Sequence, residues 1–314
     1  MKRSCSWVVA IALAIGMLAP PASGQTRDTL IFAYASGSGT YAAMTKEVRD
    51  VCKDEITIVE GTSPTIGGAT TNLEALMNNK VSAALMHSDV VYARAQADPA
   101  VRKLQTLVAL YPEDIHVLVL RNSRTKHFLK RIEFTTLSDL AGYKVGAAGG
   151  GVITARILTG QGEGHFDVVE LASGKEVLPA LDAGDIQAAI FVGGAPLPNL
   201  EKLTADQYKL IPIGETISSH LTGVYRPTII NYTNLNSGDI KTMAPTAIVL
   251  TRKYTIPKLV RPQATFRNCF YSHLDELQQT PGKHPKWQLV LPPSDPNYRG
   301  PWEWYEIPTI PARH

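Results

Sequence analysis

The chain has no marked excess of charge of either sign, because 31 Lys and Arg residues against 28 Asp and Glu residues leave a net charge of +3 over 314 residues. A nucleic-acid-binding surface needs a clustered basic face, so this balance gives no support to a nucleic-acid partner. Long hydrophobic runs are also scarce. One lies at the N-terminus, and no later stretch is apolar enough to suggest a membrane span.

Cysteine is rare, and its placement argues against two functions. Cys5 lies ahead of the N-terminal apolar run rather than after it, which argues against a lipoprotein anchor. Neither Cys52 nor Cys269 has a flanking sequence typical of a catalytic nucleophile, and no Gly-x-Ser-x-Gly motif is present. Cys52 and Cys269 either form a disulfide or remain two separate buried thiols, since the distance between them cannot be read from sequence.

The N-terminal run has the features of a secretory signal. Lys2 and Arg3 precede about a dozen apolar residues, which is short of the roughly 20 needed to span a bilayer, and small residues follow. We therefore expect residues 1–24 to be a signal peptide, cleaved near Gly24, and the protein to be periplasmic; a membrane anchor is the weaker interpretation. The remaining 290 residues are enough for two compact lobes.

One plan occurs twice along the chain. Residues 29–36 have the composition of a strand that runs into a glycine-rich loop, Gly37–Tyr41, and a helix follows. Residues 144–148 run in the same way into Gly149–Thr154 and a second helix. Strands that alternate with helices predict an α/β fold with two mainly parallel sheets, one in each lobe, and a cleft between the lobes. Ligands of such sheets bind beyond the carboxyl ends of the strands, where both loops lie.

The two lobes are expected to be discontinuous in sequence. A strand at 116–120 is the predicted end of the first passage through lobe I, and an apolar strand at 247–251 is the predicted return. This prediction assigns residues 25–120 and 245–314 to lobe I and residues 121–244 to lobe II. Trp287, Trp302 and Trp304 of the Pro-rich C-terminal segment are expected to pack on lobe I, with a carbohydrate-binding platform as the alternative.

The two glycine-rich loops suit an anionic ligand. Each opens a helix, whose N-terminus carries unpaired N–H groups and roughly half a positive charge. Ser36, Thr40 and Tyr41 add hydroxyls to the first loop, and Thr154 adds one to the second. One loop is marginal for micromolar affinity, so we predict that both lobes close on one ligand. Ordinary strand-to-helix turns are the alternative, because neither loop has the dinucleotide fingerprint or the Lys of a P-loop.

Several short motifs carry a family resemblance through their order and spacing. They are Gly37–Tyr41, Thr70–Leu73, His87–Asp89, Leu110–Glu113, Leu137–Val145, Ile186–Phe191 and Gly194–Pro196. With these motifs over most of its length, the chain resembles the TAXI solute-binding subunits of tripartite ATP-independent periplasmic (TRAP) transporters. The resemblance implies a type II periplasmic-binding fold, a sodium-coupled TRAP membrane permease as partner, and ligands such as amino acids and dicarboxylates.

The resemblance also implies a set of ligand-binding residues drawn from both lobes. They are Ser36, Gly39, Thr40, Tyr41, Thr71, Asn72, Ser88, Asp89, Gly150, Gly151, Val152, Thr154 and Pro196. Two departures from the family pattern bear on the ligand. The second loop has Gly149–Val152 where the family usually has a Ser-Gly-Thr or Ser-Gly-Ser sequence, and His87 stands where the family usually has Gln.

Other kinds of site have less support in the sequence. His87 with Asp89, and Glu113 with His116, are candidate metal pairs, but no third ligand lies at a telling spacing. We therefore expect neither a metal nor a cofactor. Asp89 is expected to cap the helix that runs on from residue 90, or to receive a ligand amine.

The residues together predict a monomeric solute-binding protein that captures a small organic anion and delivers it to a TRAP permease, without catalysis. Arg156 and Arg226 each suit either a ligand carboxylate or a surface salt bridge. Three alternatives remain open: a sensory module that signals to a membrane kinase, an exported enzyme on the same fold, and a binding protein for an ATP-driven importer of the nitrate or sulfonate type.

Overall fold

The computed structural model of the protein describes residues 27–34, 39–61, 68–125, 128–160, 164–214 and 224–295. The predicted signal peptide, Ser36, and the tryptophans at 302 and 304 lie outside these residues. Within them, no helix combines the length and the apolar composition that a membrane crossing requires.

Strands and helices alternate along most of the chain. The strands are β1 (Asp28–Ala33), β2 (Ile56–Glu60), β3 (Ala83–His87), β4 (Gln105–Pro112), β5 (Asp114–Leu120), β6 (Ser123–Thr125), β7 (Phe128–Ile132), β8 (Lys144–Ala148), β9 (Asp167–Leu171), β10 (Ala188–Gly193), β11 (Tyr208–Ile211), β12 (Tyr225–Ile230) and β13 (Ile240–Thr251). The helices are α1 (Thr40–Cys52), α2 (Ala69–Met77), α3 (Ser88–Ala97), α4 (Gly150–Gly160), α5 (Gly174–Asp182), α6 (Pro257–Ser272) and α7 (Leu274–Gln279).

Two mixed sheets form the centres of two lobes. The first has the order β12-β13-β3-β1-β2, with β4 also paired to β13, and the second has the order β11-β5-β10-β8-β9. In each sheet three strands are parallel, β2-β1-β3 and β9-β8-β10, and these follow the repeated plan in the sequence. The remaining pairs are antiparallel. The prediction of an α/β fold with two sheets is therefore confirmed, but both sheets are mixed rather than mainly parallel.

The chain passes between the sheets at Glu113. β4 pairs in the first sheet and ends at Pro112, whereas β5 begins at Asp114 and pairs with β10 and β11 in the second. The strand at 116–120 therefore belongs with the second sheet, and its placement in lobe I was wrong. β5 is antiparallel to β10 and β11. The apolar pattern of a single strand does not reveal which sheet the strand joins. The other lobe limits stay a prediction.

Local apolar patterns explain the two cores. Met44, Val48 and Cys52 recur every four residues on α1 and are all buried against the first sheet. On β5, Val117 and Val119 face one core and Leu118 faces another, because successive side chains of a strand alternate between faces. Such strands are covered on both sides.

The C-terminal segment packs on the first lobe. Cys269 of α6 forms a disulfide with Cys52 of α1, with a Cα–Cα distance of 5.9 Å across 217 residues of sequence. The choice between a bridge and two thiols is thereby decided for the bridge. Trp287 is buried in the first core against Phe270, as the packing interpretation predicted for this tryptophan.

Candidate functional site

A cleft of about 700 Å³ lies between the two sheets, at the ends of the strands that lead into helices. Lobe I contributes Gly39, Thr40, Tyr41, Gly68, Ala69, Thr70, Thr71, His87 and Glu113. Lobe II contributes Ala148, Gly149, Gly150, Gly151, Ala172, Ser173, Gly174, Val177, Ile190, Phe191, Val192, Gly193, Leu197 and Asn199. The two glycine-rich junctions, near Thr40 and near Gly150, therefore open onto one shared space. Its volume is that of a small-molecule site.

Four helices begin at the wall of this cleft. The first residues of α1, α2, α4 and α5 all line it. At α1, α2 and α5 no side chain caps the first-turn N–H groups. Because the first four N–H groups of a helix have no partner within the helix, these termini favour a negatively charged group in the cleft.

No Lys or Arg side chain lines the cleft among the described residues. Arg156 is exposed and pairs with Glu170 at 2.9 Å, which is the surface salt bridge that the sequence allowed as an alternative. Arg226 donates to Thr246 Oγ1 at 2.7 Å. Binding of an anion here would therefore depend on backbone N–H groups rather than on a guanidinium.

Glu113 is the one carboxylate in the described cleft lining. Its side chain is only 2% exposed, and Tyr111 Oη donates to Oε1 at 3.4 Å. Burial raises the pKa of Glu113 to about 7, although His87 and the nearby Tyr41 hydroxyl oppose that effect. From the sequence, Glu113 was a candidate metal ligand with His116 but not a predicted ligand-binding residue. Its position directly after a buried strand was the available signal.

His87, which lines the cleft, forms a buried pair with Asp89, which does not. His87 Nδ1 contacts Asp89 Oδ1, while Asp89 Oδ2 accepts from Thr154 Oγ1 at 2.6 Å and from Tyr225 Oη at 2.8 Å. Burial raises the pKa of Asp89, but His87 and the two hydroxyls outweigh it, so the net shift is downward. For His87, burial lowers the pKa and Asp89 more than restores it, so the net shift is upward.

The contacts of Asp89 show that it does not cap a helix. α3 begins at Ser88 and no side chain caps it, so the expected capping role of Asp89 was wrong. Its carboxylate instead joins lobe I to Thr154 of lobe II. Glu113 and His116 do not form a pair, because His116 Nε2 is hydrogen-bonded to Tyr232 Oη at 2.9 Å.

The structure divides the predicted ligand-binding residues into groups. Six of them line the cleft, namely Gly39, Thr40, Tyr41, Thr71, Gly150 and Gly151. Five are buried without lining it, namely Asn72, Ser88, Asp89, Val152 and Thr154. Asn72 Nδ2 donates to Leu85 O at 2.7 Å and Ser88 Oγ donates to Val224 O at 3.0 Å, so their polar groups hold the backbone. Pro196 is exposed, after a cis peptide bond.

Comparison with known proteins shows the family. Residues 32–289 match the model of the NMT1-like family. The chain belongs to the NMT1-like family. No curated protein matches the sequence.

Solved structures similar to this NMT1-like protein show its fold. Tv2483 bound to L-arginine has 13% sequence identity, with 85% of this chain and 94% of that chain covered and a TM-score of 0.55. AbpA of Streptococcus pneumoniae, an amino acid ABC transporter substrate-binding protein bound to L-arginine, has 12% identity, coverage of 79% and 90%, and a TM-score of 0.46. The chain has the two-lobed type II periplasmic-binding fold.

Gly150→Ala should destabilise this NMT1-like protein by about 1–3 kcal/mol, which is typical of overpacking. A Cβ at this position would lie 2.2 Å from His87 Nε2 and 3.2 Å from the Cβ of Ala69, so the two lobes would collide. The imidazole cannot easily move aside, because it is buried and held by Asp89. Urea unfolding of the ligand-free protein measures the change.

Gly151→Ala is the matched control for this variant. A Cβ there would meet Ile190 O at 3.5 Å, an ordinary contact, so little loss of stability is expected. Adding His87→Ala to Gly150→Ala should recover part of the lost stability. Equal unfolding midpoints for Gly150→Ala and Gly151→Ala would contradict the proposed collision.

The pH dependence of stability should reveal Glu113. Because its folded-state pKa is raised from 4.5 to about 7, the wild type should lose stability as pH rises between these values. The shift corresponds to on the order of 3 kcal/mol. Glu113→Gln cannot ionise, so it should be the more stable protein at pH 8 and differ little from wild type at pH 4. Unfolding midpoints from pH 4 to pH 8 test this, and a constant difference would contradict it.

Proposed function

We propose that this NMT1-like protein is an exported, periplasmic solute-binding protein that captures a small organic anion, either a dicarboxylate or an amino acid, by closure of its two lobes. The observation that carries the proposal is the shared cleft, into which helix N-termini open from both sides. The fold supports it, because Tv2483 holds L-arginine in a structure of the same fold.

The energetics favour a ligand clamped by both lobes. A hydrogen bond to a charged group contributes about 1.5–3 kcal/mol, while micromolar affinity requires about 8 kcal/mol after ordering costs. One helix terminus cannot supply that much. Termini from both lobes together can, provided that the lobes close on the same anionic ligand.

We propose six cleft-lining residues as direct ligand contacts: Gly39, Thr40, Tyr41, Thr71, Gly150 and Gly151. The buried residues Asn72, Ser88, Asp89, Val152 and Thr154 then act as supports for the cleft wall, because their polar groups are engaged with the protein. Asp89 with Thr154 is the most important support, since that hydrogen bond joins the two lobes. Ser36 and Pro196 remain proposed contacts from the resemblance alone.

The proposed membrane partner is a TRAP permease, on the strength of the TAXI-like motifs. An ATP-driven importer is the second candidate, because the fold is shared with substrate-binding proteins of ABC transporters. Uptake of labelled solute into proteoliposomes that contain a candidate permease from the same genome separates the two. A sodium-gradient requirement supports the TRAP proposal, whereas a requirement for ATP supports the alternative. A neighbouring histidine kinase gene in place of a permease gene would favour the sensory role.

Calorimetric titration tests the binding role directly. The protein is first stripped of co-purified solute by denaturation and refolding, and the released solute is identified by mass spectrometry. We expect micromolar binding of at least one organic acid or amino acid and recovery of that ligand unchanged. Absence of heat with the whole panel and with the recovered solute would remove the proposal, and conversion of the ligand would indicate an enzyme.

A further inference from the structure

The Glu113 carboxyl lies at the point where the chain passes from the first sheet to the second, and it lines the cleft. It is almost fully buried, and Tyr111 Oη donates a long hydrogen bond of 3.4 Å to it. The Tyr41 hydroxyl is buried and lies close enough to the Glu113 carboxyl to lower its pKa, although the two groups do not form a hydrogen bond of good geometry. A buried carboxyl and a neighbouring hydroxyl whose oxygen can still accept a hydrogen bond therefore lie on one side of the cleft.

The charged groups around Glu113 are already paired with other residues. His87 is in contact with Asp89, which offsets much of its charge. The next residue, Asp114, is paired with Lys286 at 2.6 Å. No Lys or Arg lines the cleft in the described ranges, so an ionised Glu113 lacks a dedicated counter-charge. A buried carboxylate in this state is unfavourable unless a cationic group reaches it.

We propose that Glu113, together with the Tyr41 hydroxyl, binds a protonated nitrogen of the ligand. The cleft then selects solutes that carry both an anionic group and an ammonium group over dicarboxylates of similar shape. The helix N-termini of both lobes hold the anionic end, and Glu113 holds the cationic end. This inference rests on the proposed binding function and chooses between the two ligand classes that it leaves open.

The two ligand classes predict opposite proton exchange. The pKa of Glu113 is about 7 before a ligand binds, so at pH 7 the carboxyl is partly protonated. Tyr41, Tyr111, His87 and Asp89 are the titratable groups that surround it. An arriving ammonium group favours the carboxylate and releases a proton, whereas a second ligand carboxylate favours the protonated acid and takes one up.

Calorimetry on matched pairs of ligands tests the inference. The pairs are L-aspartate with succinate, L-glutamate with glutarate, and L-leucine with 4-methylpentanoate, together with the solute recovered from the purified protein. Titrations at pH 7 in two buffers of different ionisation enthalpy give the number of protons exchanged. We expect the amine-bearing member of a pair to bind more tightly and to release protons.

Glu113→Gln should weaken binding of the amine-bearing ligand by on the order of 10- to 100-fold, as loss of a bond to a charged group does. Binding of the amine-free partner should change little. Glu74→Gln, on the exposed face of α2, is the matched control and should bind as the wild type does. The proton count on the wild-type protein is independent of whether the Glu113 variant folds.

Three results would overturn the inference: tighter binding of a dicarboxylate, proton uptake on binding, or unchanged binding by Glu113→Gln. Each leaves the proposed solute-binding function intact. Failure of every pair and of the recovered solute to bind would instead remove that function, and this inference with it.

Discussion

Replacing Cys52 and Cys269 together by alanine should lower the free energy of unfolding by about 5 kcal/mol in the chain-entropy treatment of a cross-link. The bridge joins residues 217 apart, so its loss greatly enlarges the set of unfolded conformations. It also frees α6, which packs on the first sheet, from α1. Urea unfolding of the oxidised wild type and of the double variant measures the difference.

Reduction of the wild type is the control for this variant. If the bridge itself is responsible, reduced wild-type protein and the double alanine variant should unfold at similar urea concentrations. Wild-type stability that is unchanged by a reductant able to reach the sulfurs in the unfolded chain would contradict the expectation. A variant much less stable than the reduced protein would indicate that the lost packing of two fully buried sulfurs matters as well.

Lys286→Met should destabilise the protein by about 3–5 kcal/mol, because it leaves a buried carboxylate without its partner. Lys286 Nζ lies 2.6 Å from Asp114 Oδ2, and the two side chains are 7% and 1% exposed. Asp114 also accepts from Ala195 N and from Thr228 Oγ1, so this carboxylate connects the C-terminal segment to the residues after β10 and to β12. Urea unfolding again provides the measurement.

Two further variants separate the charge from the packing of Lys286. Lys209→Met removes a lysine whose partner, Glu133, is exposed, and should cost about 1 kcal/mol or less. Adding Asp114→Asn to Lys286→Met should recover part of the lost stability, because the unpaired charge is then gone. A double variant no more stable than Lys286→Met alone would assign the loss to packing against Gly194 instead.

The repeated strand-loop-helix plan could be predicted because its signals are local. The apolar residues of α1 and β5 follow the helix and strand periods, and glycine clusters mark the turns between them. A helix N-terminus favours an anion wherever it lies, so the prediction of a negatively charged ligand came from the same residues. The sequence likewise indicated that residues on both loops belong to one cleft, through the rule for the carboxyl ends of strands.

The roles of particular side chains depended on neighbours that are distant in the chain. Asp89 was expected to cap its own helix, yet its carboxylate accepts hydrogen bonds from Thr154 of the other lobe and from Tyr225 of β12. Lys286 and Asp114 are 172 residues apart, and nothing in either local sequence indicates the pair. The disulfide stayed undecided for the same reason.

The amino-acid sequence by itself determined the α/β class and the duplicated plan, since each depends on residue periodicity within a few residues, and it is also the source of the proposed anionic ligand. Only the tertiary structure decided that the 116–120 strand joins the second sheet, that Asp89 links the lobes, and that Glu113 faces the cleft. Pairing and protonation of these groups depend on burial, and burial is set by which distant segments come to lie against them.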